Sequence, residues 1–427
     1  DPTQDASDVA ATTTDSWTVL TPANLAITAV DTTPNYVTQG QTSVAVTMSV
    51  TNTGGATANI DALNLDFNGS LTGYAVTTGA YDGALAGGAT TTIAFTVDVD
   101  AAAPLGLTTI DGAVSGADAN SGAVTIDGDA AIVDQWTVQA PANLVITALA
   151  ASPTQVSTGQ SFQATVTVQN VGTAAATIEF SDESLVFSNG GLIASGTTQA
   201  TTVTLAANAS SSFTFTVVSG ASSGVTTLTS ATFSATDTNS GLPVPVNANN
   251  ASPKTITIQG KASLSITAIS ASATQVSTSQ MFTSTVTVQN TGEAAINFTI
   301  ENLVFSDGNL TAPQLNQTVT LVGGDTVGFE FSVTAGAASG VTTITSATFT
   351  AVDANSLNGL VVASNVASPV SVLVQQPAAI RILSLRTNSD HAGPDRHPGR
   401  DVRHQQRRSL GRADAGLDLR PVLLERW

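Results

Sequence analysis

Three stretches of this chain are near-copies of one another, and their spacing constrains the fold more than any other feature. "WTVLTPANLAITAV", "WTVQAPANLVITAL" and "ITIQGKASLSITAI" begin at Trp17, Trp136 and Ile256, starts that lie 119 and 120 residues apart. A fourth start, "VLVQQPAAIRILSL", begins at Val372. A period of that length is a domain-sized unit, not the short turn of a solenoid. The 427-residue chain therefore has room for three whole units and for partial ones at its ends.

Inside each unit the apolar residues alternate. In "SFQATVTVQNVG", Phe162, Ala164, Val166 and Val168 fall on one side, and Gln163, Thr165, Thr167 and Gln169 on the other. Phe282, Ser284, Val286 and Val288 repeat the pattern in the third unit, and Val44, Val46, Met48 and Val50 carry it in the first. A period of two marks a half-buried strand. Each of these strands ends in Asn-x-Gly, at Asn52/Gly54, Asn170/Gly172 and Asn290/Gly292, where both residue types tolerate the left-handed conformation of a reversal. Leu85, Leu205 and Leu321 each stand eight residues before a second alternating strand, beginning its inward row at Ile93, Phe213 and Phe329. The polar interval between reads as the turn of a hairpin. Ala, Thr, Val and Ser dominate, helix formers are scarce, and seven or eight strands per unit fit the spacing of an immunoglobulin-like sandwich. The fold class expected is all-β, with tandem immunoglobulin-like β-sandwich domains.

The stretch "NLVITALAASPTQVSTGQSFQATVTVQNVGTAAAT" resembles the cell-adhesion-related domain found in bacteria and kindred surface repeats. The likeness lies in an apolar strand, then Pro-x-x-Val-x-x-Gly-Gln, then "TVTVQN" with a glycine two residues on, and it covers the first third of each unit. It implies a secreted or cell-surface prokaryotic protein of tandem sandwiches. That family has no shared catalytic residues to carry over.

Charge narrows the partners. Residues 1–380 hold 25 acids against Lys254 and Lys261, a balance of −23, whereas residues 381–427 hold ten Arg against six acids, a balance of +4. The main body is acidic through lack of bases, and such a surface repels nucleic acid and anionic membranes. No apolar run is long enough to span a bilayer, so direct membrane insertion is not expected. The chain has no cysteine, which removes disulfides and thiolate metal sites. All three histidines, His391, His397 and His404, lie in the basic end.

That basic end departs from the repeat. The fourth unit starts correctly, but after about Leu385 a string like "SPTQVSTGQSF" should follow and does not. Read one base forward, "PDRHPGRDV" can encode Pro-Thr-Val-Thr-Pro-Gly-Glu-Thr-Phe, and "LLERW" can encode Phe-Ser-Asn-Gly-Gly, the counterpart of "FSNGG" at Phe187. We expect residues 387–427 to be an out-of-frame, disordered tail. The divisions expected are a remnant of a preceding repeat at 1–16, repeats at 17–135, 136–255 and 256–371, the first strand of a truncated repeat at 372–386, and the tail.

One polar motif recurs once per unit: Asp118/Asn120/Ser121, Asp237/Asn239/Ser240 and Asp353/Asn355/Ser356. Asp and Asn in this arrangement bond their own backbone as a β-turn. The sharper reading makes Asp118, Asn120, Asp237, Asn239, Asp353 and Asn355 calcium candidates, but one carboxylate per turn falls short of the six to eight oxygens calcium takes unless other loops contribute. No other cofactor is expected. The aromatics suited to a sugar platform, Tyr36, Tyr74 and Tyr81, all lie in the first unit. No spacing points to an acid–base pair of carboxylates, and no enzyme is expected. The function expected is a structural or adhesive stalk segment of an extracellular or cell-surface protein, whose partners, surface proteins or glycans, are met through other domains. The rival is a carbohydrate-binding accessory region of a larger secreted hydrolase.

Overall fold

In a computed structural model, the structure describes residues 15–128, 131–179, 185–190, 192–197, 202–381 and 383. Every regular element among them is a strand. The chain divides into a compact body ending at Gln376 and a second part from Pro377 onward. The tail expected at 387–427 lies outside the described residues, as do residues 1–14 of the expected remnant.

The body holds three separate apolar cores. The first runs from Ala23 to Val138, the second from Ala142 to Ile258 and the third from Ala262 to Val374. Each is enclosed by strands from facing sheets, a sandwich-like unit. In the first unit one sheet runs in the order Leu25–Thr32, Val44–Asn52, Thr90–Val99, Tyr74–Thr78. The other runs Tyr36–Thr38, Val133–Gln139, Gly106–Asp118, Ala58–Phe67, Ala84–Leu85, with Val124–Asp127 paired to Gly106–Asp118. The third unit repeats this plan with one strand more, Val362–Asn365, which pairs parallel with Leu264–Ala271 at the edge of the smaller sheet. In the second, the equivalent of the larger sheet is split in two. Ile178 and Phe187 are nine residues apart where their counterparts Phe298 and Phe305 are seven apart, and residues 180–184 between them lie outside the described residues.

The alternation places side chains as the period of two requires. Val44, Val46, Met48 and Val50 are buried, as are Phe162, Ala164, Val166 and Val168, and Phe282, Ser284, Val286 and Val288. Their neighbours carry hydroxyls that pair across the outer face: Thr51 with Thr90 at 2.8 Å, Ser49 with Thr92 at 3.0 Å, Thr167 with Ser212 at 2.8 Å. Such pairs stabilise a sheet without charge.

The seams are offset by one strand from the starts of the sequence repeat. Val133–Gln139 pairs antiparallel with Gly106–Asp118 and parallel with Tyr36–Thr38, so it closes the first unit. Trp136, 1% exposed, stacks within the first core on Phe67 at 5.5 Å, and Phe67 in turn stacks on Tyr74 at 4.1 Å. Ile256 and Val372 likewise sit in the cores of the second and third units. The repeated motif therefore spans a closing strand, a linker and the next opening strand.

The hairpins expected at Leu85, Leu205 and Leu321 do not form. Each of these strands pairs with Ala58–Phe67, Ala176–Glu179 or Ile296–Phe305, across the sandwich from the alternating strand that follows it. A buried asparagine explains the crossing. Asn52 Nδ2 donates to Ala56 O at 2.8 Å and Leu85 O at 3.0 Å, while its Oδ1 accepts from the N–H groups of Asn24 and Gly54. Asn170 and Asn290 make the same four bonds, to Ala174, Leu205, Asn143 and Gly172, and to Ala294, Leu321, Ser263 and Gly292. The glycine after each asparagine is required by contact, not by a left-handed φ: a Cβ on Gly54 would lie 2.0 Å from Pro22 O, and on Gly172 2.2 Å from Pro141 O.

Asn170 is fully buried and joins four segments, so Asn170→Ala should strand several backbone groups and lower stability by roughly 3 kcal/mol, read as a lowered urea midpoint for the second unit.

Candidate functional site

The Asp-x-Asn-Ser loops are where the three units repeat polar chemistry most closely. The strands Gly106–Asp118, Ser234–Asp237 and Gly340–Asp353 each end on the aspartate, and the chain then turns. The turn is held by the side chain. Asp118 Oδ1 accepts from the N–H groups of Asn120 and Ser121, both at 2.8 Å; Asp237 and Asp353 do the same with Asn239 and Ser240, and with Asn355 and Ser356. The other oxygen reaches further. Asp118 Oδ2 accepts from Ala23 N–H at 2.7 Å, Asp237 Oδ2 from Ala142 N–H at 2.9 Å, and Asp353 Oδ2 from Ala262 N–H at 2.8 Å. Each carboxylate thus ties the turn after its strand to the first residues of that same unit.

All three aspartates are buried. Hydrogen bonds from N–H groups favour the ionised form. The Ala23 N–H, followed by that of Ser121, lowers the Asp118 carboxyl to about 2. Burial works to raise Asp353, but the N–H groups of Ala262 and Ser356 and the Ser157 hydroxyl outweigh it and leave that carboxyl below its ordinary value.

Two of the loops also grip the preceding unit. Thr38 of the first unit donates its hydroxyl to Asp237 Oδ1 at 2.9 Å, Asn239 Nδ2 donates to Thr38 Oγ1 at 3.0 Å and to Gln139 Oε1 at 2.8 Å, and Gln41 Nε2 donates to Asn239 O at 3.1 Å. The second junction repeats the set. Ser157 donates its hydroxyl to Asp353 at 2.9 Å, Asn355 Nδ2 donates to Gln259 Oε1 at 2.9 Å, and Gln160 Nε2 donates to Asn355 O at 3.0 Å. The turn that presents Thr38 and Ser157 is itself braced, since Gln41 Oε1 and Gln160 Oε1 accept from the N–H groups of Thr38 and Ser157. At the second junction Glu293 adds a further link, accepting from Gly260 N–H at 2.7 Å and from the Ser223 hydroxyl at 2.9 Å. Those two donors hold its carboxyl below the ordinary range.

The structure therefore brings the six calcium candidates together in pairs, Asp118 with Asn120, Asp237 with Asn239 and Asp353 with Asn355. The surroundings of each carboxylate are hydrogen-bond donors: N–H groups in all three loops, joined by hydroxyls at Asp237 and Asp353. Among the described residues no group of three or more His, Cys, Asp or Glu gathers at one point. Sequence reasoning missed Thr38, Gln41, Gln139, Ser157, Gln160 and Gln259. Their recurrence at the same place in each unit was visible, but their partners lie about 100 to 200 residues away along the chain. Of the sugar-platform tyrosines, Tyr74 is taken up in the stack with Phe67 and Trp136, while Tyr36 and Tyr81 are exposed. Glu301 is buried with one oxygen unpartnered, and burial pushes its carboxyl up against the pull of the Gln317 N–H.

No protein-family model matches the chain, and no curated protein matches it. Several solved structures share a loose likeness. A protein of unknown function from Porphyromonas gingivalis is 13% identical, with a TM-score of 0.22, over 56% of this chain and 98% of that one. A tandem of titin domains is 10% identical, with a TM-score of 0.22, over 82% of this chain and 98% of that one. The secreted serine protease VesC from Vibrio cholerae is 11% identical, with a TM-score of 0.20, over 46% of each chain. Likenesses at these scores carry no argument about what the chain does.

Two expectations follow from the loops. Because the folded Asp118 carboxyl titrates near 2 and the ordinary value is 3.8, the folded state binds fewer protons than the unfolded one in between, so its contribution is present above the ordinary value and is lost as pH falls through the folded one. Urea unfolding between about pH 5 and pH 2 should show a shallower loss for Asp118→Asn than for the unsubstituted chain. Separately, added calcium and added chelator should leave the melting temperature of the full chain unmoved. A rise with calcium would return the loops to the cation reading.

Proposed function

We propose that this chain is a non-catalytic structural segment, a stalk within a secreted or cell-surface prokaryotic protein, built of tandem immunoglobulin-like repeats akin to the bacterial cell-adhesion-related domain. The observation that carries the reading is the twofold recurrence of one polar clasp, Thr38/Gln41/Gln139 on Asp237/Asn239 and Ser157/Gln160/Gln259 on Asp353/Asn355. A repeated inter-unit contact of fixed geometry is what a spacer needs, since directional bonds set the angle between neighbours. The linkers support the same reading. Only Ala140 and Pro141 separate Gln139 from Ala142, and only Gly260 and Lys261 separate Gln259 from Ala262. Two residues with no flexible tether leave little hinge freedom. The outer faces, lined with paired hydroxyls, present little that would bind a charged partner. Adhesion to other surface proteins or glycans then belongs to domains carried by the stalk.

Asn239→Ala and Asn355→Ala remove the asparagine side-chain bonds across the two junctions, to Thr38 and Gln139 and to Gln259, while keeping the backbone N–H groups that build each turn. In the full chain, spin labels on neighbouring units should report a narrow distance distribution that broadens in the double variant, with melting lowered only slightly. An unsubstituted chain as broad as the variant would defeat the stalk reading.

A further inference from the structure

Among the described residues, the first unit carries the same loop with nothing in its grip. Asp118 holds its turn and Ala23 as the other two aspartates hold theirs, yet Asn120 is exposed and no side-chain bond from it is formed among the described residues, whereas Asn239 and Asn355 are partly covered by the preceding unit. A second observation lies beside it. Trp17 is 92% exposed and Val19 is 87% exposed, although their counterparts in the repeated motif, Trp136 and Val138, are 1% and 2% exposed in the core of the unit they close. A third concerns the linker. Thr21 O accepts from Ala56 N–H at 3.0 Å, as Ala140 O accepts from Ala174 N–H and Gly260 O from Ala294 N–H. The chain after Leu20 is thus already fastened to the first unit in the manner of a linker leaving a closed neighbour.

We propose that Trp17–Leu20 and the Asp118–Ser121 loop form the receiving half of a third junction, and that its occupant is another sandwich-like unit of this same repeat, with Trp17–Leu20 as its last strand and a Ser/Thr-x-x-Gln turn clasping Asn120. The inference rests on the stalk reading and extends it to a specific surface. An exposed Trp on a segment outside every described strand presents a large apolar area that a core would remove from water, and the site that buries Trp136 shows what that core looks like. A second copy of this chain does not fit as well. Its third unit already has Val370–Gln375 in the closing position, so Trp17 would find no vacant place in the sheet. Thr38 precedes Trp136 by 98 residues and Ser157 precedes Ile256 by 99, which sets the distance at which the occupant's hydroxyl should precede Trp17. Leu20 stands where Gln139 and Gln259 accept from the asparagine, so this junction has one side-chain bond fewer than the other two.

The test extends the full chain by placing a copy of residues 142–255 directly ahead of Trp17, so that Trp17–Leu20 replaces Ile256–Gln259 and the added Ser157 and Gln160 face Asn120. The Trp17 signal is isolated by difference against Trp17→Phe. In the unextended chain it should be water-like and fully open to acrylamide. In the extended chain it should move to the blue, with quenching reduced several-fold. Asn120→Ala should leave the unextended chain unchanged and broaden the distance between the added unit and its neighbour. A control extension carrying residues 142–259, its own closing strand included, ahead of Thr21 shows whether the added unit folds there. If the control folds while the Trp17 version leaves Trp17 exposed or the added unit unfolded, the proposal is overturned. Concentration-dependent association of the unextended chain that buries Trp17 overturns it too, in favour of a second copy. The stalk reading is judged at Asn239 and Asn355, so either can fail without the other.

Discussion

A buried carboxylate with only half its bonds made would be among the most expensive groups a sandwich could contain, and the architecture of this chain follows from satisfying three of them. Asp237 accepts from two N–H groups of its own turn, from the Ala142 N–H and from the Thr38 hydroxyl. The first two fix the local turn. The third brings the first residues of the unit beside the end of the strand Ser234–Asp237. The fourth cannot be made unless the preceding unit stands in one orientation. Removing a partner from a buried charge costs more than an ordinary hydrogen bond contributes, so the arrangement resists partial loosening. Asp353 does the same for the next junction through Ser157 and Ala262.

The buried asparagines perform the complementary task inside each unit. Asn52, Asn170 and Asn290 tie the linker, the strand they end, the strand after it and the carbonyl of the leucine that crosses to the other sheet. The flanking glycine then allows the linker carbonyl within a distance no side chain would tolerate. Aspartate and asparagine meet at the linker. Ala142 N–H bonds to Asp237 and Asn143 N–H to Asn170, so two successive amides of one short segment are claimed from opposite directions. This is why so short a connection can be held in place without a disulfide.

Much of this fold was legible in the sequence because alternation is a local property. Val44 to Val50 and Phe329 to Val333 announce their inward rows with no knowledge of their neighbours, and the cores confirm them. What was not legible is which strand lies beside which. Leu85 reads as half of a hairpin because it is close in sequence to Ile93, but the crossing is imposed by Asn52 on the far side of the unit. Trp136 reads as the beginning of a repeat because a period has no natural origin, and only pairing with Gly106–Asp118 shows it to be an end. The Asp-x-Asn-Ser motif was read correctly as a turn, since its bonds to its own backbone span two or three residues. The same oxygen that makes the turn also accepts from Thr38, and nothing within a window of ordinary length hints at that. Even strict features of the turn can lapse: Leu357 adopts φ 60° where Gly122 and Gly241 adopt 72° and 69°, so the glycine is a preference that the surrounding bonds can override.

The chemistry of the junctions also bears on how such a chain can grow. An apolar interface between units would have to match shapes over its whole area, and each change on one side would demand a repacking on the other. Here the requirement is a hydroxyl, an amide and a carboxylate at fixed positions. Thr38 and Ser157 meet it equally, although Thr38 carries a methyl group that Ser157 lacks. Around these points the junctions differ freely: Thr173 occupies the place that Glu293 holds in the next unit, and each contacts its linker in its own way. The cores remain separate, so each unit interacts with its nearest neighbours only, and the energetics approach a sum of unit terms and junction terms. A unit can therefore be added or exchanged at little cost provided it keeps the few polar atoms of the clasp, which accounts for how closely those atoms repeat while the strands around them drift.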